Sequence, residues 1–261
     1  MSWTKESILV LVKAAPNWSK KHKTYEICTA GVSETNGWRR LYPFPETNMI
    51  KKGVKVWDII QVETTQPTDD IRPESRKIKP ESVNVIDRIE DRKERRKILD
   101  KLSEPSLENA LNEKRTLTLI RPKIEGFDIK KRLPEPKQVT LEGSVFRLRP
   151  YADIGLYYQW SCPKPCRYCQ GKSHYMECFD WGANHLYKKY PDEKEAMAKV
   201  KQKCHYEMKY DNDTWFALGT HSRRPWKKWM IVGLIWMKKQ SPAEVKTKSL
   251  SDFAKSEFPN I

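Results

Sequence analysis

The sequence predicts an α+β fold in which a small antiparallel β-barrel is followed by an α+β domain stapled by a cysteine-rich metal site. Three observations support this class. Short β-branched and aromatic runs follow one another through residues 7–66, with Gly, Pro or Asn between them. A mixed-charge helical pattern and a proline-rich segment then precede further strands. Four of the 6 cysteines lie together within residues 161–178.

The N-terminal strands are predicted from four apolar runs. These runs cover residues 8–14, 25–32, 37–44 and 54–65, and β-branched and aromatic residues are frequent in them. Asn36 and Gly37 favour a β-hairpin between two of the runs, because both residues tolerate the positive φ angles of a type I′ turn. A proline-rich loop over residues 67–80 ends this set of strands. The pattern indicates a small curled sheet or barrel.

Two helices and another strand are predicted next. Residues 87–102 mix both charge signs with a narrow apolar stripe, which is typical of a mostly solvated helix. Ser106 is a suitable N-cap for a second helix that continues to Lys114, and a strand follows at 116–124. Two prolines then mark a boundary. We therefore predict a barrel-like domain with a helical insertion at 1–132, a cysteine-cluster domain at 138–240 and a tail at 241–261.

The second domain is predicted to combine strands with a helix. The helix opens at Pro191, followed by Asp192 and Glu193, since proline needs no hydrogen-bond partner at a helix start and carboxylates favour its positive end. Residues 214–220 and 229–236 are apolar enough to be central strands of a sheet. The basic segment 221–228 joins these two strands, so a rigid platform would present it.

The charge balance predicts a polyanionic partner. The chain has 50 Lys and Arg against 34 Asp and Glu, and its net charge of +16 is typical of nucleic-acid-binding proteins. No stretch reaches the roughly 18 apolar residues that a membrane span needs. The apolar residues 8–12 lack the features of a secretion signal. We therefore expect a cytoplasmic protein that binds DNA or RNA and does not bind a membrane.

The cysteine cluster predicts a metal site. Cys162, Cys166 and Cys169 have the spacing C-x3-C-x2-C, and His174 and Cys178 are candidates for the fourth ligand. Four such ligands suit a structural zinc ion, which we prefer, and they also suit a [4Fe-4S] cluster. The spacing resembles that of radical S-adenosylmethionine enzymes as well, but no glycine-rich segment that could bind their cofactor follows it.

Three segments interleave basic and aromatic residues, and such segments contact phosphates and stack on bases in many nucleic-acid-binding proteins. They lie at residues 17–23, 38–42 and 221–229, of which the third is the strongest candidate. The candidate nucleic-acid-binding residues are Lys20, Lys21, Arg39, Arg40, Arg223, Arg224, Trp226, Lys227 and Lys228.

Catalytic motifs are sparse in this sequence. Asp180, and Asp58 with Glu63 on a predicted strand, are weak candidates for metal-dependent or acid–base catalysis, because none belongs to a complete set of nucleophile, base and stabiliser. The alternative function is therefore a nucleic-acid-processing enzyme, either a nuclease or an iron–sulfur repair-type enzyme. Residues 247–258 could form a short amphipathic helix that docks on a partner protein.

Several stretches resemble an uncharacterised prokaryotic protein family with no assigned activity. They read EICTAGV at 26–32, GWRRLYPFP at 37–45, RPES at 72–75, DW at 180–181 and LGTHSRRPWKKWMIVGL at 218–234. Because these stretches span nearly the whole chain, the resemblance implies one shared architecture, but it supplies no activity. In its strand pattern alone, the strand-rich part is similar to PUA-like barrels, which recognise RNA or modified DNA bases.

Overall fold

A computed structural model describes residues 2–19, 22–33, 37–132, 154–167 and 172–239, and the backbone of 138–139 and 145–146. Its strands are β1 (Thr4–Lys13), β2 (Asn17–Ser19), β3 (Thr24–Glu26), β4 (Thr29–Ser33), β5 (Gly37–Leu41), β6 (Asp58–Thr65), β7 (Ser75–Ile78), β8 (Asn84–Arg88), β9 (Ser103–Glu104), β10 (Leu117–Ile120), β11 (Lys123–Lys131), β12 (Gln138–Val139), β13 (Val145–Phe146), β14 (Ile154–Ser161), β15 (His174–Cys178), β16 (Asn212–Thr220) and β17 (Trp229–Lys238). Its helices are α1 (Glu46–Lys51), α2 (Arg92–Leu102), α3 (Leu107–Asn112), α4 (Trp181–Lys188) and α5 (Glu193–Lys201), with a 3-10 turn at Pro80–Ser82 and a π-helical segment at Gln202–Asp211.

The N-terminal strands close into a small barrel. β1 pairs with β4 on one side and with β6 on the other, so the order β1-β4-β5-β7-β6 returns to β1. Ile8 and Val10 of β1 pack with Ile60 of β6 in one apolar cluster, whereas Leu9 belongs to a second cluster shared with the other sheet. Both faces of β1 are therefore buried, which explains its continuous apolar run. The predicted α+β fold with a small barrel is confirmed, although β5 and β7 pair in parallel.

A second sheet forms the other half of the protein, with the strand order β11-β14-β15-β17-β16-β10-β9. One face packs against α3, α4, α5 and the π-helical segment, where Tyr158, Trp160 and Phe216 are buried. The other face packs on the barrel, where Trp215 and Val232 meet residues of β1. The hairpin of β16 and β17 is buried along most of its length, so its connecting loop is held at one end of a rigid pair of strands.

The strands that precede the predicted domain boundary are divided between the two sheets. The barrel sheet ends with β8, and β9, β10 and β11 pair within the second sheet. The predicted domain limits at 132, 138 and 240 stay predictions. The tail at 241–261 lies outside the described residues.

The predicted hairpin and helices form at or near their expected positions. β4 and β5 pair antiparallel with Ser33 opposite Gly37, whose φ of 73° lies in the region that glycine favours. Residues 84–88 form β8, so α2 begins later than expected, after the side chain of Asp91 caps it through the backbone N–H of Glu94.

Candidate functional site

Three of the predicted metal ligands come together between β14 and β15. Cys162 and Cys166 lie on the loop after β14, and His174 is the first residue of β15. Their Sγ atoms are 3.8 Å apart, and Nε2 of His174 lies 3.4 Å from Sγ of Cys162 and 3.7 Å from Sγ of Cys166. All three ligand atoms therefore face one point, and the group could bind a metal ion.

The surrounding residues fix this cluster and tie it to α3. The backbone N–H of Leu107 donates to Sγ of Cys162 over 3.5 Å, and the Trp160 ring packs against the His174 ring with centroids 4.4 Å apart. The Arg167 guanidinium pairs with Glu108 at the start of α3. Burial lowers the pKa of His174, which favours the neutral imidazole that binds metals.

The other two cysteines of the segment differ in position. Cys169 lies outside the described residues, so its predicted role stays a prediction. Cys178 is at the far end of β15, four residues from His174, which corresponds to about 13 Å along a strand. Its side chain is buried in the apolar core of the second sheet, and burial raises the pKa of its thiol well above the ordinary value. Cys178 is therefore not brought to the cluster of Cys162, Cys166 and His174.

The loop between β16 and β17 presents a group of exposed cations, which we name the basic loop (221–228). Its exposed cations line a cavity of about 700 Å³, and none of them forms an ion pair with a described residue. They are Arg223, Arg224, Lys227 and Lys228. The backbone is internally braced, because the N–H groups of Lys227 and Lys228 both donate to the carbonyl of Arg224. This arrangement can bind an anion.

Trp226 anchors the basic loop to the turn that follows α3. Its φ is 61°, and its indole N–H donates to the carbonyl of Lys114 over 2.8 Å. The ring is half-buried, so it supports the loop, while the four cations point their charge at the surface. The sequence predicted Trp226 as a stacking residue, and that role stays a prediction.

The two arginines of the basic and aromatic segment 38–42 are buried. Arg39 is 6% exposed and its Nε donates to Glu6 over 2.7 Å. Arg40 is 2% exposed and donates to the carbonyl of Thr116 over 3.0 Å. Both guanidinium groups therefore have structural partners, and the Arg40 side chain also lines a cavity. Lys20 and Lys21 lie outside the described residues.

Arg40 belongs to a buried polar network that joins the barrel to the second sheet. The carboxylate of Glu74 accepts hydrogen bonds from the backbone N–H and the hydroxyl of Thr116, which also receives the Arg40 bonds. Next to it, Arg72 binds Asp70 and donates to the carbonyl of Thr220 over 2.6 Å. The RPES stretch at 72–75 therefore holds the end of β16, and with it the basic loop, against the barrel.

Asp70 makes this network sensitive to acid. Burial opposes its ionisation, but hydrogen bonds from Arg72 and Ser75 outweigh burial and lower its pKa to about 2. Because the folded pKa lies below the ordinary 3.8, the ionised Asp70 stabilises the fold above about pH 4, and this stabilisation is lost as the pH falls through 2.

We expect Asp70→Asn to lower the free energy of unfolding by about 1–2 kcal/mol at neutral pH, after allowing for solvent screening. Urea unfolding at several pH values measures this effect: below about pH 4, the free energy of unfolding should fall less steeply with decreasing pH in the variant than in the parent. The same pH dependence in both proteins would contradict the assignment.

Each of the three candidate catalytic carboxylates has structural partners, and Asp58 and Asp180 both lie near the ammonium group of Lys13. Asp180 caps α4 through the N–H of Ala183 and accepts from the N–H of Leu234, and burial raises its pKa to about 6. Asp58 pairs with Arg88 over 2.7 Å, and Glu63 pairs with Lys79. Their predicted catalytic use stays a prediction.

A cavity that the sequence did not indicate lies where the barrel meets the second sheet. Its volume is about 560 Å³, and its apolar lining includes Val12, Leu117 and Phe179. Its polar lining includes Glu26 of β3, Arg40 of β5, Arg72 and Thr220 at the end of β16. The residues come from segments far apart in the chain, so only an alignment of homologues or a structure could have grouped them.

The fold and site define an α+β protein with a closed small barrel and a Cys/His cluster that could bind a metal. The chain belongs to the family described as "Domain of unknown function (DUF8757)", which matches residues 100–255, and residues 4–101 match "Domain of unknown function (DUF8758)". This confirms the resemblance to an uncharacterised family. No curated protein matches the chain. In the part of the chain that the structure describes, no helix has the length and apolarity to cross a membrane.

Proposed function

We propose that this protein binds nucleic acid through the basic loop and that a structural zinc ion at the Cys/His cluster stabilises its second sheet. The observation that carries the proposal is the set of four exposed cations on a braced loop, none in an ion pair with a described residue. Phosphate backbones attract such sites, and the net charge of +16 adds long-range attraction. The Trp226 anchor supports affinity, because a loop held in place loses less entropy on binding.

Zinc agrees with the spacing of the ligand atoms. A tetrahedral zinc ion, with Zn–S bonds of about 2.3 Å and Zn–N bonds of about 2.0–2.1 Å, separates two sulfurs by about 3.8 Å and a sulfur from a nitrogen by about 3.6 Å. The distances at Cys162, Cys166 and His174 are 3.8, 3.4 and 3.7 Å. In a [4Fe-4S] cluster each thiolate binds a different iron, so the ligands stand farther apart. Cys169, three residues after Cys166, is the fourth ligand that the sequence offers.

The proposal also includes a reducing compartment such as the cytoplasm, where thiols stay available to a metal. Docking of residues 247–258 on a partner protein stays a prediction, since that segment lies outside the described residues.

The basic loop is tested by removing two of its charges. We expect Arg223→Gln with Arg224→Gln to weaken binding of fluorescein-labelled single-stranded DNA and RNA, because two phosphate contacts are lost. The slope of log K against log salt should fall by about 1.4–1.8, at roughly 0.7–0.9 per phosphate. Fluorescence anisotropy across a salt series measures both effects.

The matched control removes the same charge elsewhere. Lys93 and Lys97 are exposed on α2, so Lys93→Gln with Lys97→Gln changes the net charge equally. If both double variants lose affinity to the same extent, the effect is general electrostatics and the basic loop is not the contact. Adding Mg²⁺ or Mn²⁺ to the same strands separates a binding protein, which leaves them intact, from a nuclease.

A further inference from the structure

The cavity between the barrel and the second sheet contains hydrogen-bonding groups without partners. Glu26 is 1% exposed; its Oε1 pairs with His22, Tyr42 also contacts the carboxylate through a side-chain hydrogen bond, and its Oε2 lies in hydrogen-bond geometry with no described residue. Thr220 is 2% exposed and its hydroxyl is likewise unpaired in the described structure. A buried carboxylate oxygen without a donor costs free energy unless a ligand supplies one. The cavity therefore offers hydrogen-bond acceptors to a ligand that carries a donor.

The apolar part of the lining determines the shape of ligand that fits. Val12, Ala30, Leu117 and Val232 line the cavity beside Phe179. A volume of about 560 Å³ is within the usual range for a small-molecule site. The combination of these apolar side chains with fixed polar and charged groups suits a planar heterocycle whose edge carries N–H donors.

The same cavity is continuous with the basic loop. Lys228 lines both the cavity and the cationic surface of the loop, and His221 and Ser222 also line the cavity. Other charged lining residues are Asp69, Asp70, Arg40 and Arg72, and Asp70 pairs with Arg72. A single nucleotide could thus place its phosphate at Lys228 and its base against Glu26.

We propose that this cavity binds the nucleobase of a nucleotide whose phosphate lies on the basic loop, and that Glu26 accepts a hydrogen bond from an exocyclic amino group of the base. The proposal rests on the proposed function and adds the part of the ligand that is recognised. Carboxylates accept from such amino groups in other complexes, as with the N4 amino group of cytosine. In a polynucleotide the base would have to leave its stack to enter the cavity.

The test compares nucleotides that differ by one amino group. In calorimetric titrations at low salt, we expect cytidine 5′-monophosphate to bind roughly tenfold more tightly than uridine 5′-monophosphate, and guanosine 5′-monophosphate similarly more tightly than inosine 5′-monophosphate. Glu26→Gln should abolish both preferences. Glu94→Gln, which removes an exposed carboxylate on α2, should keep them. Cys28 lines the cavity, so Cys28→Phe should block it and prevent binding of all four nucleotides even if Glu26→Gln fails to fold.

The outcomes separate the two proposals. Equal affinity for the two members of each nucleotide pair, or no binding of any of the four nucleotides, overturns the base site. The proposed function would still hold if oligonucleotide binding depends on Arg223 and Arg224. Glu26-dependent nucleotide preference without oligonucleotide binding supports the base site and overturns the proposed function. Unchanged preference in Glu26→Gln overturns the assignment of Glu26.

Discussion

Removing metal from the Cys/His cluster is expected to lower the melting temperature by about 10 °C or more. A closed structural site contributes several kcal/mol, and each kcal/mol corresponds to roughly 2–4 °C in a chain of this size. The loss should be large here because the cluster joins the end of β14, the start of β15 and the N-terminus of α3. Thermal melts with and without a chelator, together with metal analysis, measure it.

Substitution of one ligand cysteine and one control cysteine tests the same metal site. Cys166→Ser should reproduce the chelator effect, and chelation should then have little further influence. Cys28 lies away from the cluster and is partly exposed, so Cys28→Ser should melt close to the parent. A parent protein that carries no zinc after expression with zinc, and melts like Cys166→Ser, would refute the metal site.

Replacing Arg40 is expected to cost about 3–5 kcal/mol of stability, the usual loss when one member of a buried charged network is removed. In Arg40→Met the side chain keeps some length, but the carbonyl and hydroxyl of Thr116 lose their donors. Glu74 would remain buried with its negative charge no longer offset by the guanidinium. Urea unfolding of Arg40→Met measures the change, and Arg92→Met on the exposed start of α2 is the control, with an expected change within about 0.5 kcal/mol.

Arg40→Met also separates two roles for this residue. If Arg40 makes no phosphate contact, Arg40→Met should leave the salt dependence of oligonucleotide binding nearly unchanged at temperatures where the variant is folded, although Arg40 also lines the cavity that we propose for the base. Normal stability with a large loss of affinity would instead show that Arg40 contacts nucleic acid, as the sequence predicted.

Local patterns predicted much of the fold. The alternation in β6, the hairpin at Gly37 and the apolar strands β16 and β17 all follow from residues close in sequence. The basic loop was placed correctly between two strands for the same reason. Cys162, Cys166 and His174 were grouped because short spacing limits how far apart they can lie.

Other features depended on which faces the fold covers. Arg39 and Arg40 are neighbours on β5, so their side chains point to opposite sides of the strand, yet the sequence predicted both as nucleic-acid contacts. Both are buried because Arg39 binds Glu6 of β1 on one side and Arg40 binds Thr116 before β10 on the other. Cys178 was predicted as a candidate ligand, as His174 was, but an extended strand separates it from the cluster.

The sequence by itself determined the α+β class, the small barrel, the close spacing of cysteines and a histidine that could bind a metal, and the strongly positive charge. These features depend on composition and on short-range periodicity. Only the tertiary structure decided which cations remain exposed, which cysteines converge, and that a cavity opens between Glu26 and Thr220. These features arise where segments distant in the chain pack together, and local patterns carry no information about that packing.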